Sequence, residues 1–316
     1  MEYGKVAGID KPVSRIVFGG DRLRTRRVSQ LPARRRERRA LELLDRAIEL
    51  GCNAFDTARV YGDSERTLGA WIRRRRIRDE VVVISKGCHP DGAGYSRLAA
   101  QHVSADLHAS LKALGTDYID LYLLHYDDPA ARIEAVLERL NRHVEAGEIA
   151  AIGASNWSHQ RIAAANAAAL SRGWKPLRAS SVQFSLADWT RPPWPGAVTL
   201  GGDSEHSARQ WYAESDLPVF AWSSLARGFF SQPMSEWAAT YFGTETNNRR
   251  RERARDFAHD NHITVAQVAL AYVLSHPLRV FAVVGCTTEQ KLADDIGAMS
   301  VKLDEQTLHW LSTGQR

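Results

Sequence analysis

Eight short apolar runs rich in β-branched residues recur along this chain, and each is followed by a longer stretch with helical periodicity. They are RIVFGG (15–20), AFDTA (54–58), VVVISKG (81–87), DLYLLH (120–125), IAAIGAS (149–155), SSVQFSL (180–186), LPVFAWSS (217–224) and VFAVVGC (280–286). Between them lie helix patterns such as RRALELLDRAIELG, which stops at Gly51, and SRLAAQHVSADLHASLKALG, which stops at Gly115. Strand–helix alternation requires parallel strands, and these are apolar on both faces because helices cover them. An open doubly wound sheet would carry a GxGxxG turn after its first strand, but the turn here reads GGDRLRTRR. With no linker-like break in composition, the pattern predicts one α/β domain over 1–316, a closed (β/α)8 barrel of the TIM type with its active site at the C-terminal ends of the strands. Two connections are long, about 187–202 and about 227–247. Both follow strand ends, so both are expected to overhang that mouth.

The composition fits a globular chain: 44% of its 316 residues are hydrophobic and 25% charged, ample for a full core. No run approaches the ~18–20 apolar residues of a membrane span, and MEYGKVAGIDKPVSR lacks the apolar centre of a signal peptide. The expected location is therefore the cytoplasm, with no membrane partner. Cys52, Cys88 and Cys286 lie far apart without CxxC spacing, which predicts free thiols and no metal site. The net charge of +5 draws attention to RRRERR (34–39), RRRRIR (73–78) and RRRERAR (249–255). Each sits in or beside a predicted surface helix with acidic residues nearby, so solvated helix faces are expected and no nucleic acid partner. Barrel–helix packing accounts for the apolar faces, and the oligomeric state is not legible.

Polar residues at the strand ends carry the chemistry. Asp56 ends the second run, Lys86 the third and His125 the fourth, with Tyr61 just beyond Asp56. Singly, each is explained by capping, surface exposure or packing. Together, three ionisable groups at the ends of three consecutive strands define a site, because a charge ending an apolar run is costly unless paired. A tyrosine whose ordinary pKa is near ~10 becomes a usable proton donor beside a cation that stabilises its phenolate. Lys86 can be that cation, Asp56 its partner, and His125 a hydrogen-bonding group for a substrate oxygen. None of these is a good nucleophile; the set suits protonation of an oxygen that gains negative charge, as in carbonyl reduction.

These segments resemble the aldo-keto reductases over nearly the whole length, from SRIVFGG through FDTARVYGDSERTLG, VVVISKG, LGTDYIDLYLLHYDDP, EAGEIAAIGASNW, VQFSL and VFAWSSLARG to VVGCTTEQKL. The resemblance implies that Tyr61 is the general acid, that Lys86 and Asp56 tune it, and that His125 orients the carbonyl while a nicotinamide delivers hydride. It further implies that Ser155, Asn156 and Gln183 hold the carboxamide, that Trp222 stacks on the nicotinamide, and that Ser223, Leu225 and Gly228 begin the pyrophosphate loop. Gly20 and Asp21 follow the first strand. Asp21 stands where relatives carry a small residue, and it either meets sugar hydroxyls or caps its loop. Gly285, Thr287, Thr288, Lys291 and Asp295 fall at the adenosine end, where only Lys291 is basic and Asp294 and Asp295 oppose a phosphate. NADPH is the expected cofactor, with NADH open, and the expected partner is a small carbonyl or sugar-like substrate. A redox-assisted sugar isomerase or epimerase and a non-catalytic cofactor-sensing subunit are the alternatives. Trp189, Trp194 and Trp222 offer an aromatic wall suited to sugar faces or flat compounds, or else pack within their loops.

Overall fold

The computed structural model describes residues 1–23, 33–231 and 234–315. A short antiparallel hairpin, β1 (Tyr3–Gly4) with β2 (Val13–Ser14), precedes eight parallel strands. These are β3 (Ile16–Gly19), β4 (Ala54–Asp56), β5 (Val82–Gly87), β6 (Ile119–Leu124), β7 (Ile149–Ser155), β8 (Ala179–Ser181), β9 (Val219–Ala221) and β10 (Val280–Val284). Each pairs with the next, and β10 returns to β3, closing the barrel the alternation predicts. Around it run α1 (Ala33–Glu49), α2 (Ser64–Arg75), α3 (Ala100–Leu114), α4 (Ile133–Glu145), α5 (His159–Leu170) and α6 (His206–Ser215). The circuit continues with α7 (Glu236–Phe242), α8 (Glu245–Asp260), α9 (Val265–Ser275), α10 (Glu289–Gly297) and α11 (Glu305–Thr313). Among the described residues no helix is long and apolar enough to cross a membrane.

Strand periodicity divides the core in two. Val17, Ala54, Val82, Ile84, Leu121, Leu123, Ala151, Ala179, Phe220 and Phe281 fill the lumen, whereas Ile16, Phe18, Phe55, Val83, Tyr122 and Leu124 face the helices. The hairpin has no counterpart among the predicted strands. Val6, Ile9 and Val13 join the lumen cluster, and Lys11 reaches Asp120 at 2.5 Å, so this segment floors the barrel below β6. Asp120 also takes Arg78 at 2.9 Å and the Val83 N–H at 2.9 Å, which satisfies a buried carboxylate.

Several predicted strands are shorter in the structure. The run 180–186 is a continuous strand only through Ser181 and keeps a single bridge from Gln183 to Trp222 beyond it, because the connection 187–202 folds back: Gln183 N–H donates to Val198 O at 2.9 Å and Leu200 N–H to Gln183 O at 2.8 Å. The run 217–224 stops at Ala221, where Ser223 adopts a left-handed φ of 52° and turns the chain. The connection 227–247 contains α7 and the start of α8, N-capped by Ser235 and Thr244. The basic runs fall in α1, at the end of α2 and in α8, where Arg38 pairs with Glu42, Arg75 with Asp45 and Arg249 with Glu245. All three cysteines are buried free thiols.

Candidate active site

The same two-residue period that fills the lumen aims its uppermost layer into the mouth. Ala54 points inward, so Asp56 does too; Ile84 sets the direction of Lys86, Leu123 that of His125, and Ala151 that of Ser155. The parallel register places Asp56 beside Ile84 and Lys86 beside Leu123, so each ionisable residue stands two positions further along its strand than the one before, and all three reach the same mouth.

Tyr61 is returned to that mouth by its loop. Thr57 N–H donates to Ile84 O at 2.7 Å and Arg59 N–H to Lys86 O at 2.8 Å, continuing the β5 edge, and Tyr61 N–H closes a turn on Ala58 O at 2.9 Å. The motif residues beyond it fasten the loop. Ser64 Oγ donates to Gly20 O at 2.7 Å and accepts from Thr57 Oγ1, while buried Glu65 accepts from Ser85 Oγ at 2.8 Å and pairs with Arg59 at 3.1 Å.

Lys86 Nζ donates to both oxygens of Asp56, at 2.7 and 2.5 Å, and to Thr57 O at 3.0 Å. It lies 5.0 Å from the Tyr61 ring centroid, and the His125 ring stands edge-on to Tyr61 at 5.9 Å. Burial raises the Asp56 carboxyl, opposed by Lys86 and reinforced by Asp21. Burial acts to lower Lys86, but Asp56 and Tyr61 overcome it and hold the ammonium charged. Tyr61 differs from the sequence expectation of a lowered value: burial pushes its phenol up despite Lys86, and the charges of Asp56 and Asp21 add to the shift. His125 is driven well below the ordinary imidazole value by burial, Lys86 and His89, so it is neutral near pH 7.

These four residues line a cleft of about 530 Å³ that continues to Thr287, Lys291, Asp294 and Asp295. Asp21, Ser155, Asn156, Trp222, Ser223, Leu225, Gly228 and Gly285 also line it. Gly20, Gln183 and Thr288 do not. Gly20 is tied up with Ser64, Gln183 is fully buried and bonded to Ser185 and Thr199, and Thr288 caps α10 by accepting from Lys291 N–H. Asn156 adopts φ 58° and spends its amide on His125 O and Ser155 Oγ.

Further contacts at the site emerge only in three dimensions. Ser181 ends β8 on the lumen side, and its Oγ is buried without a partner, as are His125 Nδ1 and the indole nitrogens of Trp194 and Trp222. Trp194, from the long connection, stacks on Trp222 at 5.2 Å and 22°. Ala226, Arg227 and Gly228 are all left-handed, with φ of 47°, 51° and 91°, in a tight curl closed by Ala226 N–H on Ser223 O at 2.7 Å and Gly228 N–H on Leu225 O at 3.0 Å. From α1, Arg35, Arg38 and Arg39 lie beside Thr288, and Arg39 donates to Thr287 O at 3.1 Å. Orphaned polar atoms by the strand ends and Lys291 beside Thr287 further along the same cleft are groups an elongated anionic cofactor could engage. A larger groove, about 1250 Å³, opens on the flank between α6 and α11, but none of Asp56, Tyr61, Lys86 and His125 lines it.

Asp295 carries a pH-dependent cost. Burial, helped by Asp294, raises its carboxyl to about 7, while the Cys286 thiol donates to it at 3.0 Å. Because its folded pKa exceeds the unfolded value, the folded state binds more protons between about pH 4 and 7, and stability falls as pH rises through that window. Asp295→Asn should therefore stabilise the fold at pH 8 by on the order of 4 kcal/mol, with the gain fading towards pH 4. Urea unfolding of both proteins across this range checks it; a pH-independent difference refutes the assignment.

The barrel mouth thus gathers a buried Asp–Lys pair, a tyrosine and a neutral histidine in one cleft. The family model for the Aldo/keto reductase family matches residues 15–311, and the chain belongs to that family. It is 29% identical over 300 residues to the Uncharacterized oxidoreductase YrpG of Bacillus subtilis (strain 168), covering 87% of this chain and 86% of that protein. It is 26% identical to the Putative aryl-alcohol dehydrogenase AAD14 of Saccharomyces cerevisiae, covering 98% and 84%, and 28% identical to the Norsolorinic acid reductase stcV of Emericella nidulans, covering 85% and 70%. The fold is also that of the thermostable aldo-keto reductase Tm1743, solved with the inhibitor epalrestat, at a TM-score of 0.76, 22% identity and 99% coverage of both chains.

Proposed function

We propose that this protein reversibly reduces the carbonyl of an aldehyde, ketone or sugar-like compound with NADPH. The observation that carries the reading is the buried Asp56–Lys86 pair beneath Tyr61, with neutral His125 across the same opening. When bound, the nicotinamide supplies the hydride. Tyr61 donates the proton to the carbonyl oxygen, and its raised pKa keeps that proton in place until charge develops there. Lys86 stabilises the phenolate left behind, and Asp56 fixes the ammonium by accepting two of its hydrogen bonds. His125 is uncharged and so acts by orienting the carbonyl oxygen, not as the acid.

At the cofactor end, Ser155 and Asn156 are assigned to the carboxamide and Trp222 to the nicotinamide face, while Gln183, buried outside the cleft, acts only by bracing the loop through Ser185 and Thr199. Ser223, Leu225 and Gly228 are assigned to the pyrophosphate, and Gly285, Thr287, Lys291 and Asp295 to the adenosine. Arg39, which donates to Thr287 O at the edge of the cleft, adds positive charge to that of Lys291 at the end that also holds Asp294 and Asp295, which favours NADPH over NADH. The names of the aryl-alcohol dehydrogenase and norsolorinic acid reductase relatives, together with the stacked Trp194 and Trp222, make aromatic carbonyls the first substrate class.

A second reading, redox-assisted epimerisation or isomerisation, is favoured by one feature: the Asp21 carboxylate lines the cleft close enough to shift both Asp56 and Tyr61. A panel of aryl aldehydes, ketones and sugars with NADPH and NADH separates the two. Stoichiometric NADPH oxidation is expected with aryl aldehydes, and isomerised sugar without net cofactor consumption overturns the reductase reading.

A further inference from the structure

On the outside of the barrel, away from the cleft, three potential metal ligands converge from α3, α4 and the turn into β7. His108 Nε2 lies 3.3 Å from Glu148 Oε1, and His143 Nδ1 lies 2.5 Å from Glu148 Oε2. The ligand atoms all fall within 4.8 Å of one another, and the two imidazole rings are perpendicular, with centroids 5.3 Å apart. Ligands on a tetrahedral ion at about 2.1 Å stand about 3.4 Å apart, which this cluster brackets.

The chain holds the set before any ion arrives. Ser104 and His108 are four residues apart on one face of α3, and Ser104 Oγ bonds His143 Nε2 at 2.8 Å. Gly147, with φ 76°, turns the end of α4 so that Glu148 N–H donates back to His143 O at 3.0 Å. That cap fixes the backbone of Glu148 beside His143. His143 is buried, Glu148 half-buried and His108 exposed, so the open side of the cluster faces solvent.

We propose that His108, His143 and Glu148 bind one divalent transition-metal ion, with zinc the leading candidate, water completing the fourth position. Two imidazoles and a carboxylate form a donor set suited to zinc. Occupation changes the tautomer of His143: the hydrogen that Nδ1 shares with Glu148 moves through solvent to Nε2, which stops accepting from Ser104 Oγ and donates to it instead, the outer hydrogen bond that orients a metal-bound imidazole. The position decides the role. Residue 148 enters β7 at the end opposite the mouth, so the ion clamps α3 to α4 and does not touch the cleft. The cysteine spacing pointed to no metal site; this one arises from a juxtaposition made only by the fold.

Chelator-treated, full-length protein titrated with Zn2+ tests the proposal. Expected results are saturable uptake of one ion per chain by calorimetry, a raised melting temperature, and at least a tenfold loss of affinity in His108→Gln, whose exposed position keeps the fold intact. His143→Gln should abolish uptake, and Ser104→Ala should weaken it about tenfold. No saturable binding, or binding unchanged in His108→Gln and His143→Gln, overturns it.

Discussion

Tyr61→Phe is expected to lower the single-turnover rate of carbonyl reduction by about 10²- to 10⁴-fold while cofactor affinity stays within about twofold. Removing the hydroxyl takes away the proton donor but leaves Lys86 on both oxygens of Asp56, so the shape and charge of the opening persist. Single-turnover measurement matters because product release can mask the chemical step at steady state. Tyr61 is raised and His125 lowered from their ordinary values, so the wild-type reduction rate should be flat between about pH 6.5 and 10 as far as these groups are concerned. A Phe variant that reduces aldehydes at the wild-type rate would sink the assignment of Tyr61 as acid.

Lys86→Met should be the most damaging of the substitutions considered. Asp56 and Lys86 are each 4% exposed, and deleting the cation strands a buried carboxylate, which typically costs about 3–5 kcal/mol. A collapse in activity could then reflect either lost folding or lost chemistry. The double variant Asp56→Asn with Lys86→Met separates them: it removes both charges and should recover most of the stability while remaining inactive. Denaturant midpoints and reduction rates on the three proteins check this. Recovery of both properties together would show that the pair is only a structural bolt.

Much of this site was legible in the sequence for a simple reason. Asp56, Lys86 and His125 each end an apolar run, and in a parallel barrel all such ends share one rim. Tyr61 was legible through its short loop. The floor of the barrel was not, because Val6, Ile9 and Val13 lie in a segment too short and irregular to read as a hairpin. Ser181 was missed because a serine within SSVQFSL carries no sign of which face it takes until β8 is seen to end there. The arginines of α1 read as a solvated face, and they are that, but the ring closure from β10 to β3 also sets α1 against α10.

The sign of the Tyr61 shift shows the limit most clearly. Residue types alone suggested that Lys86 would lower its pKa. The fold buries the phenol and adds Asp56 and Asp21 to its surroundings, and the desolvation outweighs the cation. The amino-acid sequence by itself determined the parallel barrel and the residues on its rim, since both follow from local periodicity and from where apolar runs stop. Only the tertiary structure decided the electrostatics of that rim and the meeting of α1 with α10 and of His108 with His143 and Glu148, because burial and distance between segments remote in the chain exist only once the ring is closed.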